Sequence, residues 1–151
     1  MVLDTGAAVP QVTATNQDGD RVTLTFDDPT VLYFYPRDGT PGCTTEAEQF
    51  QAELDTYSEA GVAVYGVSTD DAGSHREFAD AHDLGFDLLA DPDGRIAEAF
   101  GVELTDEAAE RTTFVCARRQ VCGLYEGVRP DGHARNVLKD ILDVGLASLD
   151  D

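Results

Sequence analysis

The segment from Pro36 to Phe50, PRDGTPGCTTEAEQF, carries the residue types most able to do chemistry in this chain. Thr40 is a good helix N-cap, and Pro41 after it suits the first helical position, where a missing N–H costs nothing. On that count Cys43 is the third helical residue. A carboxylate often occupies this place in a capping box, because unpaired backbone N–H groups and the positive end of the helix dipole favour an anion. A thiolate is such an anion. Helix starts and nearby cations lower a cysteine pKa from about 8.5 to roughly 3.5–7.5. A thiolate can attack a weak O–O bond, a reaction that also needs donors to hold both oxygens as the bond breaks. The Thr40 hydroxyl and the backbone amides near Cys43 can supply some of them. A guanidinium from elsewhere would add charge at any relevant pH. The competing reading of Cys43 is a small buried hydrophobe; its place in a Thr-Pro-Gly-Cys helix start weighs against that.

A thiol so placed needs a strand ending just before it. Val31 to Tyr35 (VLYFY) is a short apolar, aromatic run closed by Pro36, which predicts a buried strand. The loop RDGTPG leads into a helical stretch in which Phe50, Leu54 and Tyr57 recur at helical spacing, until Gly61 stops it. Val62 to Val67 is a second buried strand. Asp70 or Asp71 caps the next helix, whose Phe78, Ala81 and His82 share a face. Phe86 to Leu89 is a short strand, and Arg95 to Phe100 a short helix ended by Gly101. Arg111 to Val115 and Val121 to Tyr125 read as strands joined by a tight turn bearing Arg118 and Arg119. Val137, Leu138, Ile141, Leu142 and Leu146 form the apolar stripe of a final helix. Ahead of these, Gln11 to Leu24 alternates polar and apolar around Asp18-Gly19, as a hairpin does. Alternating strands and helices predict an α/β fold, with a central sheet covered by helices on both faces. Ligands in such folds sit where strands end and loops lead into helices, as after Tyr35.

Composition bounds the partners. Acidic residues number 30 against 10 basic ones, a formal charge of −20, and Lys139 is the lone lysine. So acidic a chain repels nucleic-acid phosphates and anionic lipid, so neither nucleic acid nor membrane is an expected partner. The carboxylates are scattered from Asp4 to Asp151, like the surfaces of proteins from salt-loaded cytoplasms, and the expectation is a halophilic protein; the plainer alternative is an acidic, soluble surface. No apolar stretch is long enough for a membrane span or a signal h-region, and MVLDTGAAVPQ has no basic n-region. The expected compartment is therefore the reducing cytoplasm. Three cysteines is an odd number, so at least one thiol is free or pairs conditionally. His75, His82 and His133 are dispersed, with no metal-ligand spacing to the cysteines. With no linker, repeat or low-complexity segment, the 151 residues are expected to form one domain, 1–151.

PRDGTPGCTTEAEQF resembles the active-site stretch of peroxiredoxins, with Pro36, Thr40 and Cys43 at the spacing Pro-x-x-x-Thr-x-x-Cys. The subfamily it resembles is the bacterioferritin comigratory protein, or peroxiredoxin Q, group. RTTFV is similar to the strand that begins with the family's active-site arginine, which gives Arg111 that role. GVRPDGHARNVL, Gly127 to Leu138, is similar to the subfamily's last loop and helix, and AVPQVTATNQDGDRVTL to its N-terminal hairpin. The resemblance implies a thioredoxin-like fold, a central mixed sheet flanked by helices with an N-terminal β-hairpin extension. It implies that Cys43 attacks hydrogen peroxide or an organic hydroperoxide and becomes a sulfenic acid, releasing water or an alcohol. Pro36 would shield the site, Thr40 would hydrogen-bond thiolate and substrate, and Arg111 would stabilise both. A thioredoxin or another thiol would be the reductant, with no cofactor and no metal, in a monomer or weak homodimer. Glu46, one helical turn after Cys43, is read as orienting a nearby arginine; the alternative is a solvated helix residue. The alternative for Arg111 is a surface ion pair.

The chain departs from the subfamily at the resolving cysteine. Many members carry one five residues after the first, where this chain has Glu48, and others carry one in the next helix, where Ser74 to His82 has none. Cys116 reads as a core filler, and Cys122 as the more exposed of the last pair; either could resolve Cys43 only if the chain moved or a second subunit lent it. The expectation is a one-cysteine mechanism with an external thiol. The missing partner keeps a redox sensor or holdase-like role in play. A thiol–disulfide oxidoreductase is the third reading, weakened because that chemistry uses Cys-x-x-Cys and residues 40 and 46 are Thr and Glu.

Overall fold

The fold was obtained as a computed structural model, which describes residues 2–149. The opening hairpin pairs β1 (Val12–Thr15) with β2 (Arg21–Leu24), antiparallel. Its turn is organised by one side chain: Asn16 Oδ1 accepts the backbone N–H groups of Asp18 and Asp20 at 2.9 and 3.0 Å, as asparagines do in turns.

The apolar run after Pro29 is β3 (Thr30–Phe34), buried at every residue. It is the parallel neighbour of β4 (Ala63–Ser68), which in turn is parallel to β5 (Asp87–Ala90). On its other side runs β8 (Thr112–Ala117), antiparallel, followed by β9 (Gln120–Tyr125). The hairpin joins the far edge through Thr15 and Ala90, giving the mixed order β2-β1-β5-β4-β3-β8-β9. The helices are α1 (Pro41–Ala52), α2 (Leu54–Glu59), α3 (Ala72–His82), α4 (Arg95–Phe100) and α5 (His133–Asp143).

Alternation along β3 feeds two cores. Val31 and Tyr33 join Phe50, Tyr57, Phe78 and the α5 residues Val137, Leu138 and Ile141 on one face. Leu32 and Phe34 join Phe100, Phe114, Ile96 and the hairpin's Val12 and Leu24 on the other. Tyr33 stacks on Phe50 at 4.5 Å and 15°, so β3 and α1 are locked together beneath the start of the helix. No helix among the described residues is long and apolar enough to cross a membrane.

The structure corrects the sequence reading in three places. The helical stretch through Phe50 and Tyr57 is two helices, broken at Glu53 (φ −97°, ψ 1°); past the break Tyr57 packs under Phe50 and donates to the Ala134 carbonyl at 2.6 Å. The buried face of α3 is His75, Phe78 and Ala79, with Ala81 exposed. Phe78 is on it as expected, Ala79 takes the place of Ala81, and a buried histidine, not an apolar residue, opens it. Asp71 is the cap, accepting Ser74 N–H at 2.8 Å. A small ribbon, β6 (Leu104–Thr105) with β7 (Ala108–Ala109), stands where no strand is expected. Its turn residues Asp106 and Glu107 have φ 52° and 64°, values that usually call for Asn or Gly.

Candidate active site

The thiol is positioned by a strand end, a turn and a helix start. After β3, Tyr35 N–H still bonds the Val67 carbonyl at 3.0 Å. Gly39, at φ 81°, lets the chain reverse into Thr40, which stands at the N-cap in extended geometry with Pro41 behind it. Cys43 is the third residue of α1 and only 1% exposed. The Thr40 hydroxyl does not cap the helix; it donates to the Arg37 carbonyl at 3.4 Å. Pro36 is half-buried at the start of the turn.

Arg111, immediately before β8, is carried to the same place because β8 pairs with β3, Thr112 opposite Phe34. Its Nη2 donates to Cys43 Sγ at 3.5 Å and its Nη1 to Glu46 Oε1 at 2.8 Å. Gly42 makes room: a Cβ there would stand 3.1 Å from Arg111 Nη2. Glu46 is fully buried on the inner face of α1. Only one of its oxygens has a partner, since Oε2 has none. Burial therefore outweighs the ion pair and pushes the carboxyl up to about 7, with Arg111 opposing the rise. Burial works against the charge of Arg111, but Glu46 and Cys43 more than offset it and hold its pKa above the usual value. One cation thus serves two buried acids, as electrostatic stabilisation of a developing anion requires.

A second layer supports the first. His133, the first residue of α5, bonds Thr113 Oγ1 through Nε2 at 2.8 Å and meets Phe50 edge-on at 6.0 Å. Burial, then the Arg111 charge, pushes this histidine down to about 4, so it is neutral at pH 7. On the other side, Asp38, Asp70 and His75 have ligand-type atoms within 4.8 Å of one another. His75 Nδ1 and Asp38 Oδ2 are 2.7 Å apart, a hydrogen-bond distance. Two ligands on a tetrahedral zinc with bonds of about 2 Å would stand roughly 3.3 Å apart. Nothing in the sequence groups Asp38 with His75; the parallel pairing of β3 and β4 brings them together.

The other cysteines lie elsewhere. Cys116 is fully buried in the core on the far face of the sheet from Cys43, and burial, with Cys122 adding to it, pushes its thiol up to about 12. Cys122 is exposed. A bulge between Val115 and Cys116 pairs Cys116 with Val121 and Val115 with Gly123, so Cys122 is the extra residue of the bulge and does not face Cys116 across the ladder. Arg119 reaches Asp27 at 2.7 Å from a turn in which it and Arg118 have φ 61° and 53°.

A mixed sheet in this order, with a buried thiol at a helix start beneath a guanidinium, is a thioredoxin-like fold fitted for thiol redox chemistry. The chain belongs to the AhpC/TSA family, whose model matches residues 5–122, and within it to the peroxiredoxin Q and bacterioferritin comigratory protein group. Peroxiredoxin Q of Triticum aestivum, a chloroplastic protein, is 38% identical over 142 residues, covering 90% of this chain and 65% of that one. The chain spans just under two thirds of the length of that relative. A Coxiella burnetii protein that carries the peroxiredoxin bcp name is 35% identical over 150 residues, covering 91% of this chain and 98% of that one. Among solved structures, Mycobacterium tuberculosis peroxidoxin BcpB superposes with a TM-score of 0.86 at 32% identity, over 94% of this chain and 98% of that one. The Xanthomonas campestris bacterioferritin comigratory protein, studied for alkyl peroxide reduction, gives 0.85 at 32% identity, over 95% and 98%.

Proposed function

We propose that this chain, as one domain over 1–151, is a thiol peroxidase whose Cys43 thiolate reduces hydrogen peroxide and organic hydroperoxides. The observation that carries this reading is the Arg111 guanidinium, clamped by buried Glu46 and set 3.5 Å from a buried sulfur at a helix start. The thiolate attacks the terminal peroxide oxygen. An S–O bond forms as the O–O bond breaks, and two electrons pass from sulfur to the peroxide. The departing alkoxide or hydroxide takes up a proton and leaves as alcohol or water, and Cys43 is left as a sulfenic acid. Arg111 faces both the sulfur and the charge growing on the departing oxygen, and Glu46 keeps it there. Pro36 shields the thiol. The Thr40 hydroxyl, turned from the Arg37 carbonyl, bonds thiolate and peroxide.

The sulfenic acid is then reduced from outside, in a one-cysteine cycle. Cys116 lies on the other face of the sheet. Opposite Thr30, it is also four strand residues, roughly 13 Å at 3.3 Å each, from the Thr112 and Phe34 pair beside the thiol. Cys122 belongs to the same hairpin. Bringing either to Cys43 would require unfolding paired strands, the most stable part of such a fold. A thiol reductant of the thioredoxin kind attacks the sulfenic sulfur, water leaves, and the reductant's second thiol displaces Cys43 while forming its own disulfide. One equivalent of peroxide should leave Cys43 as a sulfenic acid that dimedone traps, and excess peroxide should carry it to sulfinic acid, both read by mass spectrometry of the Cys43 peptide. Rapid, complete formation of an intrachain disulfide from Cys43 to Cys116 or Cys122 would refute the one-cysteine cycle. Sustained NADPH oxidation with a thioredoxin system separates an enzyme from a sensor that oxidises once.

From composition we further propose that the protein works in the cytoplasm of a salt-loaded cell, as a monomer or weak homodimer without nucleic-acid or membrane partners. A formal charge of −20 repels itself, and the Debye length is already about 10 Å at 0.1 M salt. The melting temperature should therefore rise from low salt to 0.1 M by screening, and rise further to molar KCl through ion and hydration effects at the carboxylates. A melt independent of KCl would refute the halophilic reading and leave the peroxidase one standing.

A further inference from the structure

We propose that His75 is a positioning residue for the Cys43 site, acting through Asp38. The inference rests on the peroxidase reading of that site and adds a part to it. Asp38 is the middle residue of the turn Pro36 to Thr40, and its side chain is 5% exposed. Four hydrogen bonds hold it. Its Oδ1 accepts the Tyr35 hydroxyl at 2.6 Å. Its Oδ2 accepts Ser74 Oγ at 2.8 Å and pairs with His75 Nδ1 at 2.7 Å. Its backbone N–H donates to Asp70 Oδ2 at 2.7 Å, an oxygen that also accepts Ser68 Oγ at 2.7 Å. The turn that presents Pro36 and Thr40 is thus tied at its centre to β4, through Ser68 and Asp70, and to α3.

His75 is fully buried, and both its ring nitrogens face acceptors. Nε2 lies 3.1 Å from the Leu89 carbonyl of β5. A carbonyl can only accept, so Nε2 carries a proton. Nδ1 faces a carboxylate that already receives two hydroxyls, so a second proton lies between Nδ1 and Oδ2. The ring is therefore a strut between the sheet and the turn, hydrogen-bonded at both nitrogens. Without that shared proton, a nitrogen lone pair and a carboxylate oxygen would confront each other at 2.7 Å, and the turn would be pushed off α3. Displacing reacting groups by about 1 Å can cost as much as 10²-fold in rate.

Two substitutions separate the two halves of the strut. In His75→Asn the amide nitrogen stands near the place of Nδ1 and can still donate to Asp38. In His75→Gln it stands near Nε2, where it can donate to Leu89 but not to Asp38. His75→Gln should slow the reaction of Cys43 with peroxide roughly tenfold to a hundredfold and shift the pH profile of Cys43 alkylation by iodoacetamide, followed on the Cys43 peptide. His75→Asn should recover most of both. Asp38→Asn should match His75→Gln, and the double variant should be no worse than either single one, as for groups acting as a unit. If His75→Gln does not fold, Asp38→Asn reads the same tether from the turn. The proposal is overturned by wild-type kinetics and alkylation in His75→Gln or Asp38→Asn, by equal losses in His75→Asn and His75→Gln, or by additive losses in the double variant. A wild-type protein that consumes no peroxide would sink the peroxidase reading instead, and the alkylation profile would still decide the role of His75.

Discussion

Cys43→Ser is expected to reduce peroxide consumption to that of buffer, a loss on the order of 10³-fold or more, as when other nucleophiles are removed. A serine hydroxyl is not ionised at pH 7 and cannot supply the electron pair that breaks the O–O bond. It is nearly isosteric with the thiol, so the fold and the Arg111–Glu46 pair should persist. Cys116→Ser and Cys122→Ser are the controls. Cys122 is exposed, and its replacement should leave both stability and the first oxidation unchanged. Cys116 is fully buried among apolar side chains, so its replacement puts a hydroxyl in the core at a cost of about 1–3 kcal/mol, while the folded protein still oxidises at Cys43. Stopped-flow peroxide consumption by the three variants is the measurement. Undiminished consumption in the Cys43 variant would overturn the functional reading as a whole.

Arg111→Ala is expected to slow attack on peroxide by about 10²–10³-fold, the usual loss on removing a donor aimed at developing charge. It should also raise the Cys43 pKa, because the cation beside the sulfur is gone. Removing one partner of a buried ion pair often destabilises by about 3–5 kcal/mol. Here the loss should be smaller, since the Glu46 carboxyl already sits at about 7 and would take up a proton rather than remain as a naked charge. Arg111→Lys keeps the charge but cannot reach Glu46 Oε1 and Cys43 Sγ with separate nitrogens of one fork. It should recover part of the pKa effect and less of the rate. Thiolate absorbance against pH, with peroxide kinetics alongside, tests this. Wild-type values of both in Arg111→Ala would make Arg111 a structural residue.

Much of the frame was legible in the sequence because periodicity and punctuation agreed there. VLYFY before Pro36 marks β3, Thr40 with Pro41 marks the start of α1, and Gly101 closes α4 where the apolar pattern ends. The errors fall where local signals are weak. Nothing in the run from Phe50 to Tyr57 marks a break at Glu53, because the break serves packing against α5. The β6–β7 ribbon turns through Asp106 and Glu107, which lack the usual chemistry of left-handed positions. At the site, the helix-start thiol could be derived from spacing alone, whereas Arg111 entered only through resemblance to a family strand. The Asp38–His75 tether depends on strand register, which one sequence does not reveal, and a buried histidine carries no apolar signature to place it inside.

Glu46 and His133, two ionisable groups that feel the Arg111 charge, have a joint consequence for acid tolerance. Glu46 keeps its proton up to about pH 7 in the folded chain against 4.5 ordinarily. Its contribution to stability is present below 4.5 and lost as pH rises through 7. His133 stays bare down to about 4 against 6.5 ordinarily. Its contribution is present above 6.5 and lost as pH falls through 4. Between about 4.5 and 6.5, folding therefore takes up a proton at one group and releases one at the other, and the two slopes oppose each other. In that window both groups are uncharged in the fold, and the packing around the thiol is insulated from mild acidification because the two proton exchanges on folding cancel.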